Sequence, residues 1–235
     1  MRILLVNDDG IDAPGLAALQ RACESIAAIN HDELYVVAPD AEASQIGHRV
    51  TTAEPLRVTE RGERRFAVAG TPADCTRLAL TALLPFRPDL VVSGINAGGN
   101  LGHDLVISGT VAAAREAAYL GVPAIAFSHY MKAEFELCWD TAAARAARAL
   151  ESLLNTDFLD GEYFNINLPH LAPDSQEPEV VEAHAERSPL LVSYEVSGEN
   201  AYRYTGSYAD RPISAHDSDV AVCFGGNISL SRLRV

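Results

Sequence analysis

The chain has 235 residues, 48% of them hydrophobic and 21% charged. This globular composition excludes a disordered, collagen-like or coiled-coil protein. Acidic residues number 32 against 18 basic ones, a formal charge of −14, so the surface repels a nucleic-acid duplex and an anionic membrane. The four cysteines (Cys23, Cys75, Cys138, Cys223) are widely spaced with no CxxC pair. That argues against a zinc site or disulfide framework and fits a reducing cytoplasm. The apolar run Ile3 to Val6 is too short for a signal-peptide core, and no stretch reaches the length of a membrane-spanning helix.

Ile3 to Val6 reads as a strand buried on both faces. Pro14 opens a predicted helix to about Ala28. Leu34 to Ala38 is a second buried strand, and 56–60 with 65–69 alternate like a hairpin around Gly62. Thr71-Pro72-Ala73-Asp74 carries a cap, a first-turn proline and an acid three residues on, which predicts a helix to about Leu84. Leu90 to Val92 is a strand, Thr110 to Leu120 a helix closed by Gly121 and Pro123, and Ala124 to Phe127 a strand. Lys132 to about Leu154 is predicted as one long helix, followed by a strand over Phe164 to Leu168. Apolar strands alternating with helices define an α/β protein, with a mostly parallel sheet covered on both sides. Residues 1–170 form the expected core. From 171 to 235, Tyr/Val/Ser-rich runs suggest a β-rich arm or hairpin that is no independent domain.

Ligands of such sheets bind beyond the carboxyl ends of the strands. The first strand is followed there by Asn7-Asp8-Asp9-Gly10, the second by Pro39-Asp40 and Ser44, the third by a loop from Ser93 through Asn96 to Asp104. Adjacent carboxylates at a buried strand end repel each other and lose water, a cost that a cation removes. An all-oxygen donor set suits a hard divalent ion such as Mg²⁺ or Mn²⁺. An exposed turn closed by Gly10 would have the same composition. The loop has glycines at 94, 98, 99 and 102 and leads to Ser108-Gly109-Thr110 at a helix start, a pattern that suits phosphate. Thr110 is equally readable as a plain helix cap. GxxxxGK[ST] is absent and GxGxxG does not occur in the loop, which disfavours nucleoside triphosphatases and dinucleotide enzymes. His48 and His103 are weaker loop candidates, Cys75 reads as packing, and Lys132, the only lysine, as a surface residue.

Taken together, Asn7 to Gly10, Ala38-Pro39-Asp40 leading to Ser44, Gly70 to Asp74, Ser93 to Asn96 continuing to Gly102, Asp104, and Ser108 to Ala114 resemble the survival protein SurE family. The resemblance is close over about residues 1–130 and resumes at Asn165 to Pro169 and near Asp219 to Leu233. It departs at Gln45 and Ile46, at Ile107, and from about Ser188 to Ala215. The resemblance implies a Rossmann-like three-layer fold and a metal-dependent 5′-nucleotidase acting on nucleoside monophosphates, with 5′ versus 3′ esters left open. It implies one divalent cation per subunit (Mg²⁺ or Mn²⁺) held by Asp8, Asp9, Ser44 and Asn96. Catalysis would fall to Asp8, Asp9 and Asn96, and the phosphate to Asn7, Ser44, Asn96, Ser108, Gly109 and Thr110. The family also implies a homodimer or homotetramer. Two phosphorylated-aspartate rivals fit poorly. One needs Asp-x-Asp after the first strand; the other needs a lysine directly after the fifth, whereas Lys132 lies five residues past Phe127.

Overall fold

The computed structural model describes residues 1–235. The elements are β1 (Ile3–Val6), α1 (Pro14–Glu24), β2 (Leu34–Pro39), β3 (Val58–Gly62), β4 (Arg65–Val68), α2 (Pro72–Leu78), β5 (Leu90–Ala97) and α3 (Asp104–Ile107). They continue with α4 (Gly109–Tyr119), β6 (Ala124–His129), α5 (Trp139–Leu153), β7 (Glu162–Leu168), β8 (Val180–Glu182), β9 (Tyr194–Gly198), β10 (Ala201–Tyr204), α6 (Asp219–Phe224) and β11 (Ile228–Arg234).

A nine-stranded sheet runs in the order β3-β4-β2-β1-β5-β6-β7-β11-β8. From β4 to β7 every pairing is parallel. Because β1 is buried on both sides, its residues alternate between two cores. Ile3 and Leu5 pack with α1 and α5, and Leu4 and Val6 with the Ala-rich α2 and α4. The result is the expected three-layer, Rossmann-like α/β architecture. The chain leaves β1 toward β2 on one side and returns to β5 on the other. The crevice at the carboxyl ends of β1 and β5 is therefore the switch point, where such sheets bind ligands.

Several boundaries differ from those read in the sequence. The predicted long helix begins at Trp139, not Lys132. The intervening segment is drawn onto His170 instead, with the Lys132 amide donating to His170 Nδ1 at 2.9 Å and Phe135 meeting that ring edge-on. The first helix stops at Glu24 because the Ser25 hydroxyl donates back to Ala22 O at 2.7 Å. The Thr71–Asp74 capping box is present, and α2 passes into a π turn over Ala79–Leu83. The third strand extends to Ala97, so Asn96 lies on β5 opposite Ser128 and not in a loop.

Beyond residue 170 the chain does more than form an arm. β9 and β10 make an antiparallel hairpin exposed along its whole length. β11, however, enters the main sheet between β7 and β8, and α6 packs beside it.

Candidate functional site

A cavity of about 810 Å³ opens at the switch point. Asp8, Asp9, Ser44, Asn96 and Ser108 line it, so five of the sequence candidates meet there. β1 delivers the first two. After Val6 the chain turns, the Asn7 amide donates to Gly10 O at 2.8 Å, and Gly10 takes a φ of +103° that suits glycine. β2 delivers Ser44, its loop being held by the Ala43 amide donating to Asp8 O at 2.8 Å. β5 delivers Asn96.

Each of these four side chains has one polar group fixed by a neighbour. The Thr110 hydroxyl donates to Asp8 Oδ1 at 2.6 Å, and the Ala97 amide donates to Asp9 Oδ2 at 3.3 Å. The Ser44 hydroxyl donates to Glu42 Oε1 at 2.8 Å, and Asn96 Nδ2 donates to Gly98 O at 2.7 Å. Asp8 Oδ2, Asp9 Oδ1 and Asn96 Oδ1 accept no side-chain hydrogen bond, and Ser44 Oγ keeps its lone pairs.

Burial and like charge act together on the two aspartates. Asp8 is buried, and its carboxyl is pushed up to about 6, first by desolvation and further by the charge of Asp9, against the Thr110 bond. Asp9 is likewise raised, chiefly by burial and also by the nearby Glu42. The cavity lining holds five carboxylates, Asp8, Asp9, Glu42, Asp104 and Asp210, against the single guanidinium of Arg211. That guanidinium is paired with Asp104. Two desolvated carboxylates without a cationic partner, beside a hydroxyl and an amide oxygen, fit a hard divalent cation. Nowhere does a group of three or more His, Cys, Asp or Glu converge as a ligand set. The candidate centre has only two such residues, and its other donors are neutral.

Three expected phosphate contacts do not line the cavity. Asn7 is 1% exposed, and its Oδ1 is buried without a partner. Thr110 is neither cap nor open hydroxyl. The cap of α4 is Ser108, whose Oγ accepts from the Val111 amide at 3.1 Å, while Thr110 faces Asp8. Gly109 packs so closely that a Cβ there would lie 2.8 Å from Asp8 Cβ. The loop glycines also serve close packing. A Cβ on Gly94 would lie 2.2 Å from Phe127 O, and one on Gly102 would lie 2.9 Å from Glu186 O.

His48 and His103 lie outside the cavity. Arg115 Nε donates to His48 Nδ1 at 2.8 Å, so Nε2 is the donor in its 2.7 Å contact with Glu116. Burial alone would raise the Glu116 carboxyl, but the bonds from His48 and Arg77 outweigh it and hold it below its ordinary value. This clasp fastens the Ser44 loop to α4. His103 Nε2 lies 2.6 Å from Ser188 O.

Sequence reasoning missed the wall contributed by the later chain, where Leu190, Leu191, Tyr204, Tyr208 and Arg211 line the cavity. The Tyr208 hydroxyl lies 2.9 Å from both Gly99 O and Asp104 Oδ2, and Arg211 stacks on the Tyr208 ring at 3.9 Å. Asp219 Oδ2 accepts from the Gly102 amide at 2.8 Å. No local spacing announces contacts made across a hundred residues.

Fold and site together define a Rossmann-like α/β protein with an acidic, oxygen-lined cavity at the switch point of its sheet. A profile of the family described as survival protein SurE matches residues 3–191, and the chain belongs to that family. A protein of Nostoc sp. described as a putative 5′-nucleotidase is 46% identical over 235 residues, covering the whole of both chains. The 5′-nucleotidase SurE of Methylocella silvestris is 40% identical over 240 residues, covering all of this chain and 94% of that one. The crystal structure of SurE protein from Aquifex aeolicus superposes with a TM-score of 0.85 at 31% identity, covering all of this chain and 93% of that one.

Proposed function

We propose that the chain is a 5′-nucleotidase, a divalent-metal-dependent phosphomonoesterase that releases phosphate from nucleoside 5′-monophosphates. Family membership and the names of its relatives support the reaction class. The observation that carries the metal dependence is the convergence of four oxygen donors, each oriented by its own partner, on a cavity with no free cationic side chain.

In this reading Asp8, Asp9, Ser44 and Asn96 hold one Mg²⁺ or Mn²⁺ ion. When bound, that ion supplies the positive charge that neutralises a phosphate and makes water acidic. Asp8 and Asp9, at the strand end, fix where that charge stands. Ser108, the cap of α4, lies on the phosphate side, where the dipole of that helix favours an anion. Gly109 and Thr110 act from behind, by seating Asp8. Leu190, Leu191 and Tyr204 offer apolar surface to the nucleoside.

The exposed hairpin, with Tyr194, Val196, Tyr202 and Tyr204 all in solvent, supports a homodimer or homotetramer, because unpaired apolar strands of this kind are ordinarily covered. Four free cysteines support a reducing, cytoplasmic setting, and no helix is long and apolar enough to cross a membrane. The deciding experiment is phosphate release from a panel of nucleoside monophosphates with Mg²⁺, Mn²⁺ or EDTA. Full turnover in a demetallated, chelated sample would overturn the reading.

A further inference from the structure

Glu42 belongs to no motif discussed above, yet it lines the cavity with the four candidate ligands. Its carboxylate is exposed, makes no ion pair, and has one side-chain hydrogen bond, the 2.8 Å contact with the Ser44 hydroxyl. Between the two residues, the Ala43 amide is tied to Asp8 O at 2.8 Å, which fixes this short turn against the end of β1. Holding an exposed glutamate in one rotamer is entropically unfavourable. A single bond to a neutral serine in water offsets little of that.

The arrangement is accounted for by what a serine needs in order to hold a cation. Its hydroxyl has two lone pairs and one rotating hydrogen. If the hydrogen swings toward the ion, the contact turns from attraction to repulsion. An acceptor on the far side pins the hydrogen and leaves the lone pairs facing inward. The other three donors each have such a fixing contact, in Thr110, the Ala97 amide and Gly98 O. Partners behind the ligands of a metal orient them in this way.

We propose that Glu42 is a positioning residue for Ser44, accepting its hydroxyl hydrogen so that the oxygen presents lone pairs to the divalent ion. The proposal rests on the metal site described above. Glu42 is not itself a ligand: it does not converge with Asp8 and Asp9 into a three-carboxylate group.

The test is calorimetric titration of Mn²⁺ into metal-free protein at 0.15 M salt, where charges beyond about 8 Å are screened. Five proteins are compared: wild type, Glu42→Ala, Glu42→Gln, Ser44→Ala and the double variant Ser44→Ala/Glu42→Ala. Glu42→Ala should weaken Mn²⁺ binding about tenfold or more, in the range found for such outer partners. Its metal-free melting temperature should stay that of wild type. Glu42→Gln keeps an acceptor oxygen without the charge and should retain affinity to within about threefold, the sign of orientation rather than field. In the Ser44→Ala background, Glu42→Ala should add less than about twofold, since contacting residues that act as one unit are not additive.

Wild-type affinity in Glu42→Ala overturns the proposal. So does a Glu42→Gln as weak as Glu42→Ala, or a full loss on adding Glu42→Ala to Ser44→Ala, because either means that charge or direct ligation is at work. Ser44→Ala binding Mn²⁺ like wild type overturns the metal-site reading itself, and the proposal with it.

Discussion

Thr110→Val separates the seating of Asp8 from every other role of that helix start. Valine keeps the shape and β-branching of threonine and deletes only the hydroxyl that donates to Asp8 Oδ1 at 2.6 Å, with both residues buried. A hydrogen bond to a charged group is worth about 1.5–3 kcal/mol. The bond favours the ionised carboxylate, so its loss should raise the Asp8 pKa further above about 6. The variant's Asp8 is then partly protonated at pH 6.5–7, and the cation must displace that proton. Calorimetry with Mg²⁺ should show affinity reduced by roughly tenfold at pH 6.5, with the deficit shrinking by pH 8.5. Metal-free stability by urea denaturation should fall by about 1.5–3 kcal/mol at pH 8.5. It should fall less at pH 5, where the wild-type carboxyl is itself protonated. Mg²⁺ affinity equal to wild type at pH 6.5, or a deficit that is the same at both pH values, would show that the hydroxyl does not govern Asp8.

Gly109→Ala should lower the melting temperature and reduce kcat/KM together. Its Cβ would lie 2.8 Å from Asp8 Cβ and 3.1 Å from Pro72 Cγ, an overpacking worth about 1–3 kcal/mol; a variant with wild-type melting and turnover would contradict the close packing. Asp8→Asn should abolish activity and yet stabilise the metal-free protein at pH 7. Because burial raises the carboxyl to about 6, the folded state binds the extra proton between about pH 4 and 6, and wild-type stability falls as pH rises through that window. Denaturation curves at pH 4.5 and 7 should show that slope flattened in the variant. Inorganic phosphate should bind only after the metal, since five carboxylates face one committed guanidinium. Calorimetric binding of phosphate to EDTA-treated protein would contradict this.

What was legible in the sequence was local. Ile3 to Val6 ending on two aspartates states both a buried strand and an unpaired charge, and the Thr71–Asp74 spacing states a helix start. Side-chain direction was not legible. Thr110 reads as cap or phosphate ligand from its neighbours, and only the meeting of α4 with β1 turns it toward Asp8, 102 residues away. Tyr208 and Arg211 acquire their places through tertiary contacts that leave no spacing behind. Residues 132–138 are compositionally helical, and nothing in them announces His170 as a competing partner. Ile228 to Arg234 did carry an alternating strand pattern. Nothing in that pattern says that the strand enters the main sheet between β7 and β8.

The insertion of β11 between β7 and β8 sets an order on synthesis. All four candidate ligands have been made by Asn96, and the helix behind them by Tyr119. The short β8 has no sheet neighbour but β11, and the Gly102 amide waits for Asp219. A chain emerging from the ribosome therefore carries the ligands long before it can close the wall around them. For the interval in which more than a hundred residues are added, the acidic crevice stands open to solvent. A divalent ion held there at that stage would neutralise the Asp8–Asp9 pair before the wall from Leu190 to Arg211 has been made.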